Sequence, residues 1–158
     1  MLKVLNKYFS LLLLVVLASC SAESDISTST PPLDVSVSLQ KTPCYGTCPV
    51  YNFQALNDGR ATLRVDRFAE DVLGKNLDHG DYSGTVEISD LELITTYAEE
   101  SGYFDLLNKY DDPMVMDLPA AITTIDGHNV FNRFEGPDLE GLYILIEHTI
   151  SKIDWQKN

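Results

Sequence analysis

The chain has 158 residues, with 11 Lys and Arg against 24 Asp and Glu, a formal net charge of −13 and a sequence pI of about 4.4. Such a surface repels nucleic acid and anionic headgroups, which excludes nucleic-acid partners. The length suits one domain with a real core and argues against a second.

Lys3 and Lys7 precede an apolar run from Tyr8 to Leu17, which closes in Leu17, Ala18, Ser19 and Cys20. The run is too short and wrongly flanked for a stable membrane span. Its last four residues resemble the bacterial lipobox, in which the bond before the cysteine is cut and the thiol carries a diacylglycerol. The resemblance implies a signal peptide over residues 1–19 and an N-terminus at Cys20 bearing palmitate-type acyl chains. At about 0.8 kcal/mol per buried methylene, three chains hold a domain on a bilayer permanently. The expected address is the bacterial cell envelope, at the outer membrane on its periplasmic or surface face. A plain secretory signal, with Cys20 an ordinary thiol, is the alternative. Cleavage leaves 139 residues with 9 basic and 24 acidic side chains.

Ser21 to Pro32 is rich in Ser, Thr, Ala and Pro and cannot bury enough apolar surface to offset its ordering entropy. Residues 20–33 therefore read as a lipidated tether, and residues 34–158 as the single folded domain. Glu23 and Asp25 weakly resemble the acidic signals that direct some lipoproteins to the cell surface.

Val35, Val37 and Leu39 alternate with serines, the period of a half-buried strand. Tyr51, Phe53 and Ala55, then Ala61, Leu63 and Val65, alternate in the same way around Asn57, Asp58 and Gly59, which predicts a hairpin. Val72 to Tyr82 reads as a looser connection and Gly84 to Ile88 as a short strand. Ser89 and Glu92 have capping-box spacing, and Leu91, Ile94, Ala98 and Ser101 follow at helical spacing until Gly102. Asp111 to Pro119 reads as an ordered loop. Ile122 to Ile125 and Val130 to Phe134 flank Asp126 and Gly127 as a second hairpin. Gly136 and Pro137 open a last helix with the stripe Leu139, Leu142, Ile146, Ile150 and Ile153, and Trp155 lies just beyond. The order predicts an α+β fold, an antiparallel sheet built from hairpins with two helices packed on one face in two layers.

Three cysteines, one taken by lipid, leave Cys44 and Cys48 four residues apart outside the reducing cytosol, and a disulfide is the simplest account. The segment Cys44, Gly46, Thr47, Cys48, Pro49, Val50, Tyr51, the turn Asp58–Gly59, and Asp117 with Pro119 resemble a family of bacterial envelope lipoproteins catalogued as domain of unknown function 6438. The similarity runs from Val35 to Trp155. It implies a common fold and an envelope location, and carries over no activity.

Competing chemistry centres on the same pair. Two thiolates before a proline resemble the motif of Sco-type copper chaperones and suit Cu(I), with His79, His128 or His148 as a third ligand. There, however, the motif precedes a helix, whereas Val50 to Leu56 reads as a strand. Thiol exchange is the other use of the pair. Asp78, His79 and Asp81, and likewise Asp111, Asp112 and Asp117, read as solvated turns, with divalent-cation binding as the alternative. The chain has no Gly-x-Ser-x-Gly, His-Glu-x-x-His, phosphate-cradling loop or haem-attachment sequence. No catalytic residue and no cofactor is expected. The leading expectation is a non-catalytic, lipid-anchored envelope protein that binds an unknown envelope protein or ligand. A thiol-redox or copper-handling protein using Cys44 and Cys48 comes second.

Overall fold

Strict alternation of apolar and polar residues gives each long strand one face for a core and one for water. The computed structural model describes residues 34–158; the expected signal peptide over 1–19, Cys20 and the expected tether over 20–33 lie outside the described residues. Eight strands form one sheet: β1 (Val35–Lys41), β2 (Val50–Leu56), β3 (Arg60–Arg67), β4 (Gly80–Thr85), β5 (Lys109–Tyr110), β6 (Ala121–Ile125), β7 (His128–Asn132) and β8 (Gln156–Lys157). Their order is β5-β7-β6-β1-β2-β3-β4-β8, antiparallel at every step except the short parallel pair β5–β7. The β1–β4 meander and the β6–β7 hairpin meet at β1, which pairs with β2 on one side and β6 on the other.

Val37, Leu39, Phe53, Leu63 and Ile125 point to one face and are fully buried or nearly so. Two helices cover that face, α2 (Ile88–Glu100) through Leu91, Ile94 and Ala98, and α3 (Glu140–Lys152) through Leu142, Ile146 and Ile150. Each such buried aliphatic side chain contributes about 1.5–3 kcal/mol. The helices run antiparallel. Lys152 bonds Asp90 at 3.0 Å at one end, and at the other Gly141 lies so close to the Tyr97 hydroxyl that a Cβ would come within 2.2 Å of it. The α+β, two-layer reading is thus correct, with strand order and parallel edge added. Among the described residues, no helix is long and apolar enough to cross a membrane.

Several local expectations are corrected. The connection from Val72 is not loose: a one-turn helix, α1 (Glu70–Leu73), buries Leu73, and β4 begins at Gly80 rather than Gly84. Tyr82 draws β4 into the sheet early, its ring turned inward and its hydroxyl donating to the Asp78 carbonyl at 2.8 Å. The capping box does not form. Glu87 is the N-cap in extended conformation without a side-chain bond, and the helix starts at Ile88 because Val86 is still tied to Gly59 at 2.8 Å. β7 stops at Asn132, whose amide donates to the Pro137 carbonyl at 2.9 Å. That bond keeps Gly136 and Pro137 in a loop, so α3 starts at Glu140 with its N–H on the Asp138 carboxylate at 3.0 Å.

Both hairpin turns behave as their residues require. Asp126 and Gly127 take φ of 43° and 83°, the paired positive values of a two-residue turn. Gly59 has φ 85°, and a Cβ there would lie 2.7 Å from the Val86 carbonyl. Gly59→Val adds a β-branched side chain to a left-handed position that already lacks space, and should destabilise the domain by at least about 1 kcal/mol. A lowered urea midpoint with unchanged slope is the expected readout, and an unshifted midpoint would count against this placement.

Candidate functional site

β1, β3, β5 and β7 finish, and β2, β4 and β6 begin, at the same end of the sheet. We call it the distal end, because the chain enters β1 at the other one. Two loops there are stitched together. The Thr42 N–H donates to the Ala120 carbonyl at 3.0 Å, and the Ala120 N–H to the Thr42 hydroxyl at 2.7 Å. In the first loop Cys44 and Cys48 are joined as a disulfide, with Cα atoms 5.8 Å apart and the Gly46 N–H on the Cys44 carbonyl at 3.0 Å. Closing five residues in this way is worth about 2 kcal/mol in chain entropy.

The second loop, residues 111–120, is held at its base by Arg133. This guanidinium pairs with Asp111 through Nε and donates from Nη2 to the Asp112 carbonyl at 3.0 Å, while Lys109 reaches Asp111 at 3.1 Å. Burial tends to raise the Asp111 pKa, but bonds from Lys109 and Arg133 outweigh it and hold the carboxyl below its ordinary range. The Asp112 carboxylate accepts the Met114 N–H at 2.8 Å, which turns the loop outward. Between the loops lies a concavity of about 410 Å³ walled by Cys44, Tyr45 and Leu118, with Phe131 and Arg133 beneath. Tyr45 on its wall is 93% accessible, and farther along the second loop Met114 is 85% and Met116 77% accessible.

The family sequence model described as Domain of unknown function (DUF6438) matches residues 35–138, from the first residue of β1 to just short of α3, and so spans both loops. The chain belongs to this family. No curated protein and no solved structure matches it. In this DUF6438 chain the matched stretch carries β1 to β7 and the distal loops, while α3 and β8 lie beyond it.

A polar cluster that the sequence reading missed sits inside, behind the distal loops. Glu147 of α3 is buried and accepts a 2.6 Å hydrogen bond from the Tyr51 hydroxyl. Lys41, the last residue of β1, stands 3.7 Å from the same carboxylate oxygen and 4.2 Å above the Tyr143 ring. Desolvation lowers the Lys41 pKa below its ordinary 10.5, and Glu147 only partly offsets this. Burial, reinforced by the Glu147 charge, pushes the Tyr51 phenol far above its ordinary 10.0, and burial also raises Tyr103 and Tyr143. The available signal was an acid on the apolar stripe of α3, one residue after Ile146.

The other sequence candidates do not converge. Asp81 pairs with Arg64 at 3.0 Å, His79 with Asp66 at 3.2 Å, and Asp78 uses only its backbone carbonyl, for Tyr82. His128 packs edge-on to Tyr103 at 5.3 Å between centroids, and His148 is exposed on α3. Asp111 and Asp112 are committed to the loop base, and Asp117 takes φ 66° in the turn that follows. Among the described residues no three or more His, Cys, Asp or Glu side chains gather as metal ligands.

Two predictions follow from this geometry. Replacing both Cys44 and Cys48 by serine should lower stability by about 2 kcal/mol, and the native protein should have a mass two units below the dithiol form. The second concerns alkali. A phenol with a raised folded pKa keeps its proton while the unfolded chain gives it up, so its stabilisation is present below pH 10 and is lost as pH rises beyond it. Lys41 acts in the opposite sense, adding stability as pH climbs toward 10.5, but three phenols oppose one ammonium. Stability should therefore fall above pH 10. Tyr51→Phe should make that descent shallower while costing about 2 kcal/mol at neutral pH, as read from urea midpoints at pH 8, 10 and 11.

Proposed function

We propose that this protein is a non-catalytic, lipid-anchored protein of the bacterial envelope that binds a partner protein through the distal end of its sheet. The carrying observation is the exposure of Tyr45, Met114 and Met116 on two loops that are bridged, stitched and braced at their bases. Clustered exposed apolar side chains mark interaction sites, and Tyr and Met are enriched in them. Held bases with bare tips keep the ordering cost of binding low. The lipobox-like ending at Cys20 and the polar stretch after it support a lipid anchor. The charge of −13 favours a neutral or basic partner surface.

The test is in cells. A photo-crosslinking phenylalanine placed at Tyr45, or at Met116, should trap the same single protein, while placement at the exposed Thr96 of α2 traps none. Absence of adducts from both distal positions overturns the reading. Cys20→Ala should shift the protein from the membrane to the soluble fraction and remove the acyl mass; full retention in the membrane would refute the anchor. Thiol-redox or copper handling by Cys44 and Cys48 requires the bridge to open. Purified protein with free thiols and one bound Cu(I) would replace the binding reading with that one.

A further inference from the structure

The helices cover only one face of the sheet, and no described residue covers the other. Across that open face one register row crosses seven strands: Asn129, Thr124, Ser38, Gln54, Thr62, Ser83 and Gln156, each the direct cross-strand partner of the next. Charged residues make up 22% of the chain, yet this row holds none and no aliphatic or aromatic side chain either. Among the described residues, the side chains of Ser38, Gln54, Thr62 and Gln156 have no hydrogen-bond partner. The face is also concave. A hollow of about 680 Å³ is lined by the polar side chains of Gln54, Thr62, Ser83, Thr85, Gln156 and Arg60 together with Leu56, Ala61 and Gly84, and a second of about 230 Å³ shares Gln54 and Thr62 and adds Asn52 and Arg64. The charges in both hollows are spent internally, Arg60 on Asp58 at 2.7 Å and Arg64 on Asp81 at 3.0 Å.

We infer that this trough binds a neutral, polyhydroxylated chain, a glycan segment laid across β2, β3, β4 and β8. The amides and hydroxyls there both donate and accept, as sugar hydroxyls do, and they recur at the strand spacing of about 4.8 Å, so successive rings meet equivalent groups. An anionic ligand would face an acidic molecule whose two local cations are already paired. An extended peptide needs a strand edge long enough for backbone pairing, and the two edge strands of the sheet, β5 and β8, have two residues each. The site is separate from the distal loops, so it stands or falls apart from the partner-binding reading.

The experiment is calorimetric titration of the full chain with maltohexaose, cellohexaose, chitohexaose and laminarihexaose, using hexagalacturonate as the anionic control. Saturable binding of at least one neutral hexasaccharide, with none of the polyanion, is expected. Thr62→Trp, which fills the trough from an exposed strand position, should abolish it, and Gln54→Ala with Gln156→Ala should weaken it at least tenfold, both with unchanged melting temperature. Tyr45→Ser with Met116→Ser at the distal end should leave it intact. No saturable binding, preference for the polyanion, or binding insensitive to Thr62→Trp would each overturn the assignment. So would a concentration-dependent dimer, seen by sedimentation, that Thr62→Trp dissolves, since the face would then be covered by a second copy.

Discussion

The structure depends on the two hydrogen-bond ladders of β1. This strand pairs with β2 from Val35 to Lys41 and with β6 from Val37 to Lys41, so it is the seam along which two separate hairpin systems become one sheet. Because its side chains alternate, the seam also settles which way every other strand faces: Val37 and Leu39 fix the inner face, and their neighbours in register follow. The helices then have one surface to cover, the distal loops one end to share, and the amide and hydroxyl row one continuous face to occupy.

Glu147 ties the helical layer to this seam. Its carboxylate takes the Tyr51 hydroxyl of β2 and faces the Lys41 ammonium of β1, so α3 is held in register with the central strands by a polar contact inside an apolar layer. Such contacts add little net stability but penalise alternatives heavily, since any shift of α3 by one turn would leave a buried charge alone. Lys41 is also the last residue before the loop that carries the disulfide, which connects the interior cluster to the exposed rim through three residues of backbone.

Much of this architecture is legible in the sequence wherever a period had room to show. Three alternating strands, two turns with glycine at positive φ, and the apolar stripes of both helices could be read residue by residue. β5 and β8, two residues each, are too short for any period, and β4 was obscured by Gly80 and Gly84, which show no apolar face. The placement of β6 beside β1 is a long-range choice that no local pattern encodes. Of the distal site, the Cys44 and Cys48 pair was visible because cysteine arithmetic is global. Arg133 and Phe131 were not, because they acquire meaning only once β7 delivers them beneath loops that precede them in the chain. The register row was invisible for the same reason: seven ordinary polar residues from seven segments become one surface only after the sheet is assembled.

The position of β1 also governs how the domain carries load. The chain enters through the central strand and not through an edge, and that strand is bonded on both sides along most of its length. Tension applied at residue 34 and opposed at the second distal loop therefore runs parallel to β1 and loads its ladders in shear, instead of peeling an outer strand one bond at a time. Rupture requires many hydrogen bonds to fail together, with the buried contacts of Val37 and Leu39 sliding past their neighbours in the same event. A fold wired in this way transmits a pull from its N-terminal end to its far end with little extension.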